Sequence, residues 1–521
     1  MWCAIAATSF ATKDSTTPPP AVKLNLLQAI QLALKNNRSI HVDSYSPQIA
    51  RAEVLESKGV FDPTLSFSRG RSDEDFPTPG DPLSYQSTRV DDYSLGLNGL
   101  LPTGTSYRLA GTANNTRGTS NGFADIYTSH AGISVTQPLL RGFGFSSNLI
   151  EVRVAAAGLK ISEWNFRQTI IDTVTQVTLA YSDLLLAHEQ LVIARRSQEL
   201  AASLVDGNER RFAAGGISEN QVIQARARAA AREETIVAAD RNVRESDNRL
   251  RALLGESSFP GDGPLLGIES ISEPPTLPAS MMDAAESLRK ALASRPDYQA
   301  AQANLTREQL RDGYARSQLM PSIDVVLNYG YNGLDSNFDR SRRMVEDSDY
   351  RGYSAGVVVT MPLTFTRERG RARIARLSRE QAEADLGRLK QEIALAVANA
   401  RGRIDAAQRR VEANQRAVDL ANRALDDEIK KLHAGASTTF VVLQLQENLT
   451  QVASSLHRSK ADQRVAEALY ERELGVTLER NGIRATAGDR TTENAAYRAK
   501  GHLPQQVSSR QPSNFSSVET R

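Results

Sequence analysis

Apolar residues recur along the chain with two different periods, and the two periods alternate in the same order twice. The longer stretches repeat every 3.5 residues. Val397, Ile404, Val411, Val418, Leu425 and Leu432 follow at sevens, accompanied by Ala400, Ala407, Asn414 and Ala421. At positions 220 lower stand Val177, Leu184, Leu191, Gln198, Val205 and Phe212, with Ala180, Ala187, Ala194 and Ala201. Bulky residues at one seam position and alanine at the other predict closely packed coiled-coil helices. The returning helices carry the same period, through Val222, Ala229, Ile236, Val243 and Leu250, matched by Val442, Leu449, Leu456, Gln463 and Tyr470. The turns between partners read FAAGGIS and LHAGAST. Their glycines suit a left-handed helix C-cap, and Ser218 and Thr438 are expected to cap the next helix. One helix over residues 147–213 would reach on the order of 100 Å, a rod rather than a globule.

The second period is two. Ile323, Val325, Leu327, Tyr329 and Tyr331 alternate with Asp324, Asn328 and Gly330, and Tyr353, Ala355, Val357, Val359 and Met361 alternate with Ser354, Gly356 and Thr360. Four such runs precede the first helical stretch: Leu65 and Phe67; Tyr93, Leu95 and Leu97; Tyr107 and Leu109; Ala131, Ile133 and Val135. These predict strands with one apolar face and one small or polar face. The second and third are joined by the tight turn GLLPTGTS, whereas the joins at 72–91, 114–128 and 332–351 are expected to be long polar loops. Short turns at one end and long loops at the other are the asymmetry of an outer-membrane barrel.

The order recurs because the chain is a duplication. Pro63 and Pro321 are 258 apart, as are Ile40 and Tyr298; Gly215 and Gly435 are 220 apart, as are Gly255 and Gly475. Pro138 and Pro362 occupy corresponding places with a spacing of 224. Proline lacks a backbone donor and is disfavoured inside either element, so Pro63, Pro138, Pro321 and Pro362 are expected at helix–strand junctions. The organisation that follows is an N-terminal leader or disordered segment over 1–22 and a first repeat over 23–255, with strands about 64–137 and a helical hairpin about 145–254. A linker over 256–280 leads to a second repeat over 281–475, with strands about 322–361 and a hairpin about 368–474, and then a disordered tail over 476–521.

Composition removes several alternatives. The chain has 63 basic and 61 acidic residues, a net charge of +2, which makes no case for a nucleic-acid partner. A single cysteine, Cys3, excludes a disulfide framework, and the six histidines are dispersed without the spacing of a zinc site. No cofactor or metal is expected, and no catalytic nucleophile, base and orienting group can be assembled. With a mean hydropathy of −0.40 the chain has no run fit to span a bilayer as a helix, which leaves a β-barrel open. The start, MWCAIAATSFATKDSTTPPP, reads either as a truncated or mis-started leader or as an unusual mature end; Met1-Trp2 is a poor context for a lipid anchor on Cys3. Six strands are too few for a membrane barrel, and open edges in lipid would leave backbone groups unpaired, so cyclic oligomerisation is expected. A coiled-coil scaffold accounts for the heptads but not for the strands, and a monomeric porin for neither the strand count nor the rods.

The duplicated segments LNLLQAIQLALKNN and MMDAAESLRKAL, the junctions VTQPLLRGFG and VTMPLTFTRERG, and the turns FAAGGISENQVIQAR and LHAGASTTFVVLQLQ closely resemble the TolC-like outer membrane factors, over about residues 24–475. The resemblance implies a mixed α and β membrane protein in the bacterial outer membrane, a homotrimer whose strands share one barrel in the lipid and whose hairpins form a periplasmic α-barrel. It implies an exit duct of tripartite efflux or type I secretion, joined through a periplasmic adaptor to an inner-membrane transporter. The turns Gly215, Gly216, Ile217 and Ser218, and Gly435, Ala436, Ser437 and Thr438, match the adaptor-docking position. Two departures stand out. The first half has an added strand pair at about 92–113; inside the barrel it would give 18 strands per trimer, outside it 12, and its alternation favours the larger. Where relatives carry the acids that ring the closed aperture, this chain has Val441 and Gln444, so an acidic constriction would have to come from Asp426, Asp427 or Glu428, or from Glu219. The arginines from Arg367 to Arg379 read as a solvated or lumen-lining surface.

Overall fold

The computed structural model describes residues 24–78, 81–255 and 283–483. The expectations for the leader, for Cys3 and for the linker over 256–280 lie outside the described residues. Each repeat opens with short helices. In the first, α1 (Leu26–Asn36), α2 (Arg38–Asp43) and α3 (Tyr45–Lys58) follow one another. α1 begins in a reciprocal capping box, in which Asn25 Oδ1 accepts from the Gln28 amide at 2.7 Å and Gln28 Oε1 from the Asn25 amide at 3.0 Å. The second repeat opens with α7 (Ala284–Ser294) and α8 (Pro296–Ser317), the latter started by a proline whose missing donor costs nothing in a first turn.

Strands β1 (Thr64–Thr78), β2 (Asp81–Leu100), β3 (Ser106–Gly118) and β4 (Ile126–Pro138) come from the first repeat, β5 (Ser322–Asp335) and β6 (Tyr350–Thr360) from the second. They form one antiparallel sheet in the order β1-β2-β3-β4-β5-β6, so the added hairpin β2–β3 lies inside the sheet between β1 and β4. Register decides which side chains share a face. Leu65, Leu97, Leu109, Ile133, Tyr329 and Tyr353 stand opposite one another across all six strands, a continuous apolar row. The adjacent row on the other face is Ser66, Gly96, Ala110, Gly132, Gly330 and Gly352. β1 and β6 are left as edges of the sheet.

Three expectations about connections are corrected. The join at 72–91 is mostly ladder, with Ser72 opposite Val90 and Asp73 opposite Arg89. Its polar residues pair across strands, Arg89 with Asp73 at 3.0 Å, so the ladder continues without an apolar alternation. The join at 332–351 contains a helix, α9 (Phe338–Glu346), whose fully buried Ser341 donates to Ser129 on β4 at 3.0 Å. Within the stretch expected to be a disordered tail, Thr477–Arg480 forms a short helix, α12, whose Leu478 is buried in the first repeat's core.

Pro63 and Pro321 immediately precede β1 and β5, Pro138 ends β4, and Pro362 follows β6. After a short helix, α4 (Gly144–Asn148), the chain enters α5 (Ile150–Ala213), 64 residues and therefore about 96 Å long. α6 (Glu219–Leu254) returns along its far half. The second hairpin pairs α10 (Thr366–His433) with α11 (Thr439–Leu474). Val177, Leu184, Val397 and Ile404 are buried together with their alanine partners, as the heptads predict. α3 and α8 pack along α5, and α8 also packs on α10, beside the half that the returning helices leave free. Of the arginines in the first turns of α10, Arg376 pairs with Glu380 at 2.8 Å and Arg379 with Asp312 of α8 at 3.1 Å.

Candidate functional site

The two tip turns lie at the ends of the rods and are built alike. Gly215 and Gly435 adopt φ of +72° and +73°, the left-handed conformation expected of a helix C-cap. The amide of Gly216 reaches the Arg211 carbonyl at 2.8 Å, and that of Ala436 the Lys431 carbonyl at 2.9 Å, closing a Schellman-type turn in each. Ser218 and Thr438 occupy the N-cap positions with extended backbones, but neither side chain caps. The third amide of each helix is met by backbone instead, since the Thr438 carbonyl accepts from Val441 at 3.2 Å and the Ser218 carbonyl from Gln221 at 3.1 Å.

The fold brings the two turns together. Thr439 of α11 donates to the buried Asn208 of α5 at 3.2 Å, and Arg211 donates to the Leu432 carbonyl at 3.3 Å. Beneath them Leu425, Leu432 and Val442 form a small core against Leu204. Sequence reading missed Asn208, although a signal was present: it is the next member of the column Ala180, Ala187, Ala194 and Ala201, with an amide where alanine stood. Around the turns Phe212, Ile223 and Phe440 remain about half exposed, at 45%, 55% and 57%.

The residues considered for the aperture do not form one acidic cluster. Val441, Gln444, Asp426, Asp427 and Glu219 are all exposed. Asp427 pairs with Lys430 at 3.0 Å. Glu428 accepts from Ser437 at 2.6 Å and pairs with Lys431 at 3.0 Å, and these two partners hold its carboxyl below the usual range. Among the described residues no ion pair reaches Asp426 or Glu219.

The seam between the hairpins differs in kind from the seams inside them. α11 packs on α10 through the heptads, but also on α5 through polar pairs: Arg472 with Asp172 at 2.8 Å, His457 with Glu189, Thr450 with Ser197 at 3.4 Å, and Thr439 with Asn208. Among the described residues no group of His, Cys, Asp and Glu could hold a metal ion, and no helix is long and apolar enough to cross a membrane.

A one-faced apolar sheet joined to two long helical hairpins, once per repeat, is the plan of an outer-membrane channel subunit with a periplasmic helical part. Residues 29–256 and 287–472 match the outer membrane efflux protein family, and the chain belongs to it. It is an outer-membrane duct of the efflux and secretion class. CyaE of Bordetella pertussis is 26% identical over 400 residues, covering 75% of this chain and 72% of that protein. The cobalt-zinc-cadmium resistance protein CzcC of Cupriavidus metallidurans is 29% identical over 199 residues, 38% of this chain and 42% of that one. The crystal structure of CusC superposes with a TM-score of 0.63 at 18% identity, covering 88% of this chain and 95% of that chain.

Proposed function

We propose that three copies of the chain close one barrel of 18 strands, β6 of each pairing with β1 of the next, around a lumen lined by the small and polar face. The apolar row faces lipid. The duct is passive, with no catalytic group and no cofactor, and an inner-membrane transporter supplies the energy through a periplasmic adaptor that docks on the two tip turns. The exposed Phe212 and Phe440 beside adjacent glycine turns support that docking. The likenesses to CyaE and CzcC support a duct of an efflux or a secretion system alike.

The observation that carries the trimer is a broken equivalence between repeats. α11 is covered by α5 as well as by its own partner, whereas α6 packs chiefly on α5 and α1. Accordingly Leu443 of α11 is 7% exposed, but its mate 220 positions earlier, Ile223 of α6, is 55% exposed. On the facing helices Thr175 of α5 is 3% exposed and its mate Leu395 of α10 is 64% exposed. A second copy that sets its α6 against this α10 repeats the α5–α11 contact and covers both. The mates of the bonded pair Thr450 and Ser197 are Ala230 and Ala417. An Ala230→Cys, Ala417→Cys protein should therefore oxidise to a covalent trimer on a denaturing gel, and each single variant should not. A double variant that stays monomeric under oxidation contradicts this arrangement.

A further inference from the structure

The hairpins also differ in charge at one pair of equivalent positions. In the first repeat Asp247 and Arg251, one turn apart on α6, form an ion pair at 2.8 Å with both side chains 5% exposed. Their mates 220 positions later on α11 are Glu467 and Glu471, two acids. The cation is missing from the helix, and the Arg480 guanidinium of α12 stands in its place, its Nε 3.1 Å from Glu471 Oε1. α12 is well placed to bridge, because Leu478 is 2% exposed in the first repeat's core while the helix also packs on α11.

Glu467, Glu471 and Arg480 border a cavity of about 220 Å³ between α5 and α11, with Leu26 of α1 on another side. Thr477 also lines it, and its hydroxyl, on a residue 3% exposed, has no hydrogen-bond partner. The charged and titratable groups lining the cavity are few. α11 contributes Arg464 beside the two glutamates, α5 contributes Tyr181, and α1 contributes none. Nearby, Asp172 is engaged by Arg472, and Glu479 of α12 turns to Lys290 of α7 at 3.2 Å.

We propose that α12 is a proton-linked clamp, in which Arg480 supplies the cation the second repeat lacks and so fixes α11 against α5. Glu471 faces Glu467 as well as Arg480 in a part-buried cavity, and a carboxyl so placed holds a proton more readily than it does in water. Burial, opposed by Arg480 and reinforced by Glu467, pushes the Glu471 carboxyl from 4.5 up to about 7. With α12 undocked, Glu471 meets solvent and its pKa falls back towards 4.5. The docked form then binds more protons, so docking is favoured at low pH and weakens as pH rises through about 7. These two values make docking about tenfold stronger at pH 6 than at pH 8.

Hydrogen exchange of the 477–483 amides in the full-length detergent-solubilised protein, corrected for the intrinsic rate at each pH, reads docking directly. Wild type should lose about tenfold in protection from pH 6 to pH 8, and Glu471→Gln should lessen that dependence. At pH 8, where Glu471 is ionised, Arg480→Ala should lower protection in wild type but change little in a Glu471→Arg background, where position 471 pairs with Glu467 as Arg251 does with Asp247. The same loss in both backgrounds, or the same pH dependence in Glu471→Gln as in wild type, overturns the proposal.

Discussion

The assignment of the two sheet faces can be tested with one residue step. Leu327 lies in the middle of the apolar run of β5, opposite Val135 on β4 and Ala355 on β6. Asn328 is its neighbour on the other face, opposite Ser134 and Ser354, and donates to the Ser354 hydroxyl at 3.0 Å. Arginine at a lipid-facing position near the bilayer midplane costs about 2–4 kcal/mol, or roughly 30- to 900-fold in the folding equilibrium of each chain. Three copies in one barrel multiply that factor. Arginine at 328 replaces a wet side chain by another and forfeits one hydrogen bond, about 0.5–1.5 kcal/mol. Refolding of Leu327→Arg and Asn328→Arg into lipid vesicles along a urea series measures the difference. The Leu327 variant should lose the folded, protease-resistant form at much lower urea, while Asn328→Arg stays close to wild type. Equal losses, or a greater loss for Asn328→Arg, would refute the assignment of lipid and lumen faces.

Further outcomes follow from single groups. Gly435 and Gly475 share a positive φ, but a Cβ at 435 meets open space and one at 475 would lie 2.8 Å from the Ser294 carbonyl carbon. Gly435→Ala should therefore cost only the conformational strain, roughly 1–2 kcal/mol, and Gly475→Ala distinctly more, read from thermal melts of the two proteins. Burial pushes the Glu189 carboxyl up, but the hydrogen bond and charge from His457, with Arg464 and Lys460, outweigh it and hold the group below 4.5. Its stabilisation is then present above pH 4.5 and lost as pH falls through the lower folded value. Glu189→Gln should melt below wild type at pH 7, with the gap closing on acidification. Ile223→Asp charges a face that a neighbouring copy is expected to cover, and should shift detergent-solubilised protein from trimer to monomer in mass measurements while leaving its helical content unchanged.

Elements set by local periodicity were legible in the sequence, and those set by distant partners were not. The heptads from Val177 and Val397 specify their own seams, and the alternation at Ile323 fixes a face, because each pattern states directly what must be buried. Beyond the apolar band both faces of β1 and β2 are wet. Residues 72–77 and 85–90 therefore need no alternation, and their ladder is visible only in register. α9 has three arginines and two acids in nine residues, and its one informative residue, Ser341, is buried by contact with Ser129 more than 200 positions away. α12 is four residues long and depends on a core belonging to the other repeat. At the tips the glycines disclosed the turn, since positive φ leaves few other choices. The expected caps failed because backbone carbonyls took over the work of Ser218 and Thr438. The link from Asn208 to Thr439 joins different repeats, and neither residue is unusual where it stands.

The central claim is that this chain assembles into a conducting trimer. Its most direct test is conductance of the purified protein in a planar bilayer, made on the same sample whose detergent-solubilised mass is determined. A mass of three chains together with discrete single-channel steps is the expected result. A soluble monomer or dimer that leaves the bilayer silent would contradict it and return the long hairpins to a scaffolding role.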